Sequence, residues 1–177
     1  HAYGLTIVLN LAVYIGGEIM LLPAPQIPLI MQIMKKRTPT WVPGVPTLYQ
    51  KIVDAAKADG ISINGVRNSF SGASTLPVDT VEQWEKLTGG LLVEGYGLTE
   101  TNGVGAGNIR DNYRLRPDST GRATKPMVEL ATLGDDLKPT AVGDVGEVCI
   151  RSAANVRGYW NKPDATASAF TRDGWFR

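Results

Sequence analysis

Apolar positions recur along this chain in two rhythms. From Leu5 to Ile15 they run nearly all round a helical wheel, which predicts a buried helix, and Glu18 to Leu22 after Gly16-Gly17 predicts a short buried strand. Ile27, Leu29, Ile30, Ile33 and Met34 then follow helical spacing between Gln26 and Lys36, ending in the cations Lys35, Lys36 and Arg37 that favour a helix C-terminus. Thr40 to Val42 reads as the next strand. Pro46 opens a helix through Leu48, Ile52, Val53 and Ala56 that Gly60 ends, and Arg67 to Phe70 is a strand. Pro77 opens a further helix through Val81 and Trp84, stopped by Gly89 and Gly90 before the apolar strand Leu91 to Val93. Helix and strand in alternation predict an α/β fold, a mostly parallel sheet flanked by helices.

After about Asn112 the rhythm changes. Pro117, Gly121, Pro126, Gly134, Pro139, Gly143 and Gly146 punctuate short alternating segments, Val128 to Leu133 and Glu147 to Arg151 among them. That texture predicts part of a small antiparallel β subdomain. The expected division is residues 1–115 for the α/β part and 116–177 for the β-rich part. The end after Thr171 is expected to be poorly ordered, because no helix or cap closes it.

Composition narrows the function classes. The 177 residues carry a formal charge of +1, with 43% hydrophobic and 20% charged residues, as in an ordinary globular protein. Lys and Arg are scattered, so no footprint for nucleic acid is expected. The Leu5–Ile15 run is too short for a transmembrane segment, and it lacks the flanks of a signal peptide. Cys149 lies in an apolar alternation and reads as a buried strand residue, so no disulfide framework is expected. A cytoplasmic location fits, with association at the membrane periphery left open. No oligomeric state is legible.

Chemistry concentrates at Val93-Glu94-Gly95-Tyr96-Gly97-Leu98-Thr99-Glu100-Thr101, at the C-terminal end of an expected parallel strand, where open α/β sheets bind ligands. Glycines on either side of Tyr96 let a planar base approach the backbone and stack on the ring. Thr99 and Glu100 offer a hydroxyl for phosphate and a carboxylate for a hard cation. The same residues also suit a glycine-rich turn with an exposed Tyr and a solvated Glu. Gly103, Gly105 and Gly107 lack the spacing of a dinucleotide fingerprint.

Tyr-Gly-Leu-Thr-Glu resembles the core motif of the adenylate-forming superfamily, which includes acyl-CoA and aryl-CoA synthetases, luciferases and peptide-synthetase adenylation domains. Flanking segments resemble that family's other signatures in order: Gly44-Val45-Pro46-Thr47-Leu48-Tyr49, Ser71-Gly72-Ala73-Ser74-Thr75-Leu76-Pro77, Gly121-Arg122-Ala123-Thr124-Lys125-Pro126, Gly146-Glu147-Val148, Gly158-Tyr159-Trp160-Asn161-Lys162-Pro163 and Asp173-Gly174-Trp175-Phe176-Arg177. The wording is most similar to fatty-acyl-CoA ligases, with aryl-CoA ligases as the alternative. A nucleotide-binding module without catalysis is a further reading.

The resemblance implies an AMP-forming enzyme using ATP, Mg2+ and coenzyme A to activate a small-molecule carboxylic acid. It implies nucleotide contacts from Ser74, Glu94, Gly95, Tyr96, Gly97 and Thr99, with Thr99 and Glu100 as catalytic groups and Glu100 as the magnesium ligand. His1, Tyr3, Gly72 and Ala73 become candidates for the acid site. Ser74 departs from the family's usual Ala or Gly. Val104 and Gly105 are candidate pocket residues too, although their glycine-rich run equally suits a strand pressed against another backbone. The family's phosphate loop, ribose-binding aspartate and catalytic lysine match nothing between His1 and Arg177, so the chain is expected to be an inactive piece of a longer enzyme.

Overall fold

The computed structural model describes residues 1–108 and 119–177. The expected division at residue 115 lies outside the described residues. Strands β1 (Trp41–Gly44), β2 (Asn68–Ser71), β3 (Leu91–Tyr96), β4 (Ala106–Gly107) and β5 (Arg122–Ala123) form one sheet in that order. The first two pairings are parallel and the last two antiparallel. β6 (Val128–Leu133) and β7 (Glu147–Ser152) make a separate antiparallel pair. Among the described residues no helix is long and apolar enough to cross a membrane.

Two helices carry the core. α3 (Pro46–Ala58) joins β1 to β2, and α4 (Val78–Thr88) joins β2 to β3. Their apolar positions recur at helical spacing, so Tyr49, Ile52, Val53 and Ala56 on one and Val81 and Trp84 on the other are buried against the sheet. Burying such a large apolar side chain contributes roughly 1.5–3 kcal/mol. The Trp84 indole meets the Tyr49 ring edge-on at 4.8 Å and donates from Nε1 to Ser69 Oγ at 3.1 Å, so its polar atom is satisfied inside the core. Gly89, at φ 70°, takes the left-handed turn that ends α4 and admits β3. α2 (Ile27–Lys36) buries Ile30, Met31 and Met34 on the same core.

Three local expectations are corrected. Residues Gly4–Asn10 are π-helical and continue into α1 (Leu11–Tyr14), but the helix is not buried: Leu5, Val13, Tyr14 and Ile15 are exposed. Apolarity all round does not say which face meets a neighbour. Here Ile7, Val8, Leu11, Ala12 and Ile15 border a 480 Å³ apolar cavity, while Leu5, Leu9, Val13 and Tyr14 are exposed. Glu18 to Leu22 is not a strand, because a strand forms only by pairing, and this segment lines the same cavity opposite Trp41 to Pro43 of β1. Glu18 instead pairs with Arg37 at 2.6 Å.

The segment after Thr171 is tied down. Phe176 and Ile150 exchange backbone hydrogen bonds of 2.9 Å in each direction, and the buried Phe176 ring packs edge-on against Phe170. Beside it Arg151 forks onto Glu129, its register partner across the β6–β7 ladder, and lies 4.5 Å from the Trp175 ring centre. Cys149 is fully buried in β7, as its alternation predicts.

Candidate active site

The parallel strands β2 and β3 point their C-terminal ends at one cavity of 270 Å³. Its floor is Phe70, Gly72 and Ala73 from β2 and the loop beyond it, and Gly95 and Tyr96 from β3. Gly97, Leu98, Thr99, Glu100 and Gly103 wall one side, and His1, Ala2 and Tyr3 the other.

The wall from 97 to 103 is a loop closed on itself. The Leu98 carbonyl accepts from the amides of Thr101 and Gly103 at 3.2 and 2.8 Å, and the Leu98 amide donates to Thr101 Oγ1 at 3.0 Å. Such closure requires glycine at 97, where a Cβ would stand 2.5 Å from the Gly103 carbonyl oxygen. Gly103, at φ 78°, then lies against the Tyr3 backbone and brings the two walls together. The short 3-10 turn Thr99–Thr101 buries Thr101 and leaves Thr99 and Glu100 on the cavity side.

Tyr3 is fixed from its hydroxyl, which donates to the Phe70 carbonyl at 2.6 Å, while its ring stacks on Phe70. Burial pushes its phenol up to about 12, and burial together with the nearby Cys149 also raises the Tyr96 phenol. Both rings therefore face the cavity as neutral groups. The Tyr3 amide donates to His1 Nδ1 at 3.2 Å, which orients the imidazole at the rim. Ala73 takes φ 69°, a left-handed conformation costing an L-residue about 1–2 kcal/mol.

Of the residues singled out from the sequence, the structure brings His1, Tyr3, Gly72, Ala73, Gly95, Tyr96, Gly97, Thr99 and Glu100 to this cavity. Ser74, Glu94, Val104 and Gly105 are outside its lining. Ser74 is exposed on the loop above. Glu94 is buried, and its carboxylate accepts the Leu76 amide, anchoring that loop to β3; burial raises its pKa. Gly105 is pressed against backbone, where a Cβ would come 2.5 Å from the Tyr96 carbonyl, and its own carbonyl accepts from the Thr124 amide and hydroxyl. Ala2, Phe70, Leu98 and Gly103 line the cavity without having been singled out. For Phe70 the available signal was its place at the C-terminal end of a parallel strand, the criterion that identifies the 95–100 segment.

The donor set also bears on a metal. Among the described residues no three His, Cys, Asp or Glu side chains cluster as a cation cage. Glu100 is a carboxylate at the cavity wall, which fits magnesium, an ion held by one or two carboxylates with water and substrate phosphates.

Proteins similar to this chain include named CoA ligases. The chain is 35% identical to a long-chain-fatty-acid–CoA ligase of Bacillus subtilis over 99% of its length, and 32% identical to a malonate–CoA ligase of Arabidopsis thaliana over 76%. It spans 31% of the Bacillus protein and 22% of the Arabidopsis one. The crystal structure of ATP-bound MatB from Rhodopseudomonas palustris matches at a TM-score of 0.85 and 29% identity, covering 99% of this chain and 34% of that one. The N-terminal domain of FACL13 from Mycobacterium tuberculosis matches at 0.84 and 28%, covering 100% of this chain and 44% of that one. A model of the AMP-binding enzyme family matches residues 1–160, and the chain belongs to that family.

Proposed function

We propose that this chain is the nucleotide- and acid-binding part of an AMP-forming acid–thiol ligase, which joins a carboxylic acid to coenzyme A at the expense of ATP. The observation that carries this reading is the cavity where Tyr96, Thr99 and Glu100 meet the glycine backbone of β3 and the residues around Tyr3. Tyr96 offers a face to adenine. Thr99 holds a phosphate oxygen through its hydroxyl, and Glu100 holds magnesium. The metal, when bound, neutralises phosphate charge as the acid's carboxylate attacks the α-phosphorus and pyrophosphate leaves. The thiol of coenzyme A then displaces AMP from the acyl-adenylate. These steps need alignment and charge neutralisation more than covalent help, and a loop closed by its own hydrogen bonds supplies alignment.

His1, Tyr3, Gly72 and Ala73 border the acid, with Tyr3 held as an uncharged, immobile wall. Glu94 and Gly105 act from behind the lining, by supporting the strands and loops that form it, while Ser74 reaches the nucleotide from the loop above and Val104 borders the pocket beside Gly103. The acid is a fatty acid, the substrate class in the names of the Bacillus and enterobacterial relatives. Residues 1–115 supply the site and 116–177 the β-rich part beside it, with β5 reaching back to the first sheet. The setting is the cytoplasm, with the membrane periphery as the source of the acid.

The test is pyrophosphate release by the full-length protein with ATP, magnesium and a panel of long-chain, aromatic and dicarboxylic acids. Glu100→Ala is expected to lower adenylation about a hundredfold. Tyr96→Phe keeps the stacking face and changes little, whereas Tyr96→Ala weakens ATP binding without altering magnesium dependence. A Glu100→Ala enzyme within about tenfold of wild type at every magnesium concentration sinks the assignment.

A further inference from the structure

Glu100 reaches the cavity from one side and is held from the other. The hydroxyl of Tyr159, 59 residues further on, donates to Glu100 Oε1 at 2.8 Å. Nothing about burial demands this bond, because Tyr159 is 39% exposed and water could satisfy its hydroxyl. The surroundings nevertheless fix the phenol in place. The Val156 amide donates to the Glu100 carbonyl at 2.7 Å, and Asn102 Nδ2 donates to the Ala154 carbonyl at 2.7 Å, so the segment after β7 is stitched to the 99–102 turn. The Tyr159 amide donates to Thr166 Oγ1 at 2.9 Å, and that hydroxyl donates to the Lys162 carbonyl at 2.8 Å at the start of α5 (Pro163–Ala169). Gly158 packs on the Thr166 side chain so closely that a Cβ would stand 2.5 Å from Cγ2.

A glutamate at a loop has rotamer freedom that must be lost before its carboxylate meets a cation. A phenol gripping one carboxylate oxygen removes that freedom beforehand and leaves the second oxygen for the cavity. We propose that Tyr159 is a positioning residue for the Glu100 carboxylate, so that residues from the β-rich part of the chain set the affinity of the site for the metal borne by the nucleotide. This inference rests on the reading of Glu100 as the magnesium ligand.

The experiment is a double-mutant cycle in the full-length protein. Manganese(II) binding is measured by the electron paramagnetic resonance of the uncomplexed ion, with α,β-methylene-ATP present, for wild type, Tyr159→Phe, Glu100→Ala and the double variant. Tyr159→Phe is expected to weaken manganese binding about tenfold. The analogue's own affinity without metal should be unchanged. On the Glu100→Ala background Tyr159→Phe should add nothing, because its effect passes through that carboxylate. Tyr159→Leu, lacking ring and hydroxyl, should match Tyr159→Phe if the hydroxyl is what acts. The inference is overturned if Glu100→Ala loses manganese affinity while Tyr159→Phe stays within about twofold of wild type, or if the Tyr159→Phe loss persists in full on the Glu100→Ala background. If Glu100→Ala itself binds manganese as wild type does, the assignment of Glu100 to the metal fails, and this inference with it.

Discussion

Glu94 and Glu100 are six residues apart on one motif and have opposite environments. Glu100 is at the cavity wall, while Glu94 is buried under the loop after β2, and burial raises its pKa despite the hydrogen bond from Leu76. A carboxylate whose folded pKa lies above its unfolded value binds more protons in the native state, so its contribution to stability falls as pH rises through that window. At neutral pH the buried charge is therefore a cost. Glu94→Gln keeps an acceptor for the Leu76 amide and removes the charge. The expected result is a higher Tm for the variant at pH 7, with the gap narrowing as pH falls toward the ordinary carboxylate range. A Tm difference independent of pH between those limits contradicts it.

The elements that were legible are those whose periodicity coincides with a packed face. α3 and α4 follow from the spacing of Leu48, Ile52, Val53 and Ala56 and of Val81 and Trp84, bracketed by Pro46, Gly60, Pro77 and Gly89. β6 and β7 follow from alternation around Leu130, Ala131, Cys149 and Ile150. Where the reading failed, sequence carried no information about a partner: the 5–15 run is apolar on every side, and 18–22 has no paired neighbour. The cavity was legible at Tyr96, Thr99 and Glu100 because motif and strand end coincide. It was not legible at Tyr159, whose contact with Glu100 is made by tertiary folding across 59 residues. At this scale Trp84 is the most informative single test, since its ring fills the space between α3, α4 and β2. Trp84→Ala is expected to destabilise by about 3–5 kcal/mol, and Trp84→Phe by less, in urea denaturation. A loss under about 1 kcal/mol for Trp84→Ala would place the core elsewhere.

The chain that leaves the second sheet is hydrogen-bonded to the 99–102 turn of the candidate site. β4 and β5 extend the first sheet, β6 and β7 form the second, and the segment after β7 returns to the 99–102 turn through the amide of Val156 and the side chains of Asn102 and Tyr159. Whatever holds β7 in place therefore holds one wall of the cavity indirectly. Beyond its ladder with β6, β7 is supported by Phe176, which is buried, bonded to Ile150 in both directions and packed on Phe170. Phe176→Ala is expected to cost about 3 kcal/mol within this region. Because strands β1 to β3 and helices α3 and α4 share none of those contacts, the loss should stay local. Hydrogen exchange reads the distinction residue by residue. The amides of Leu91 to Val93, inside the parallel sheet, should remain slow in the variant, while those of Ile150 and Val156 accelerate together. Equal acceleration at all of these positions would mean that the chain opens as one cooperative unit, and the site could not then be tuned from its β-rich side without unfolding the sheet that supports it.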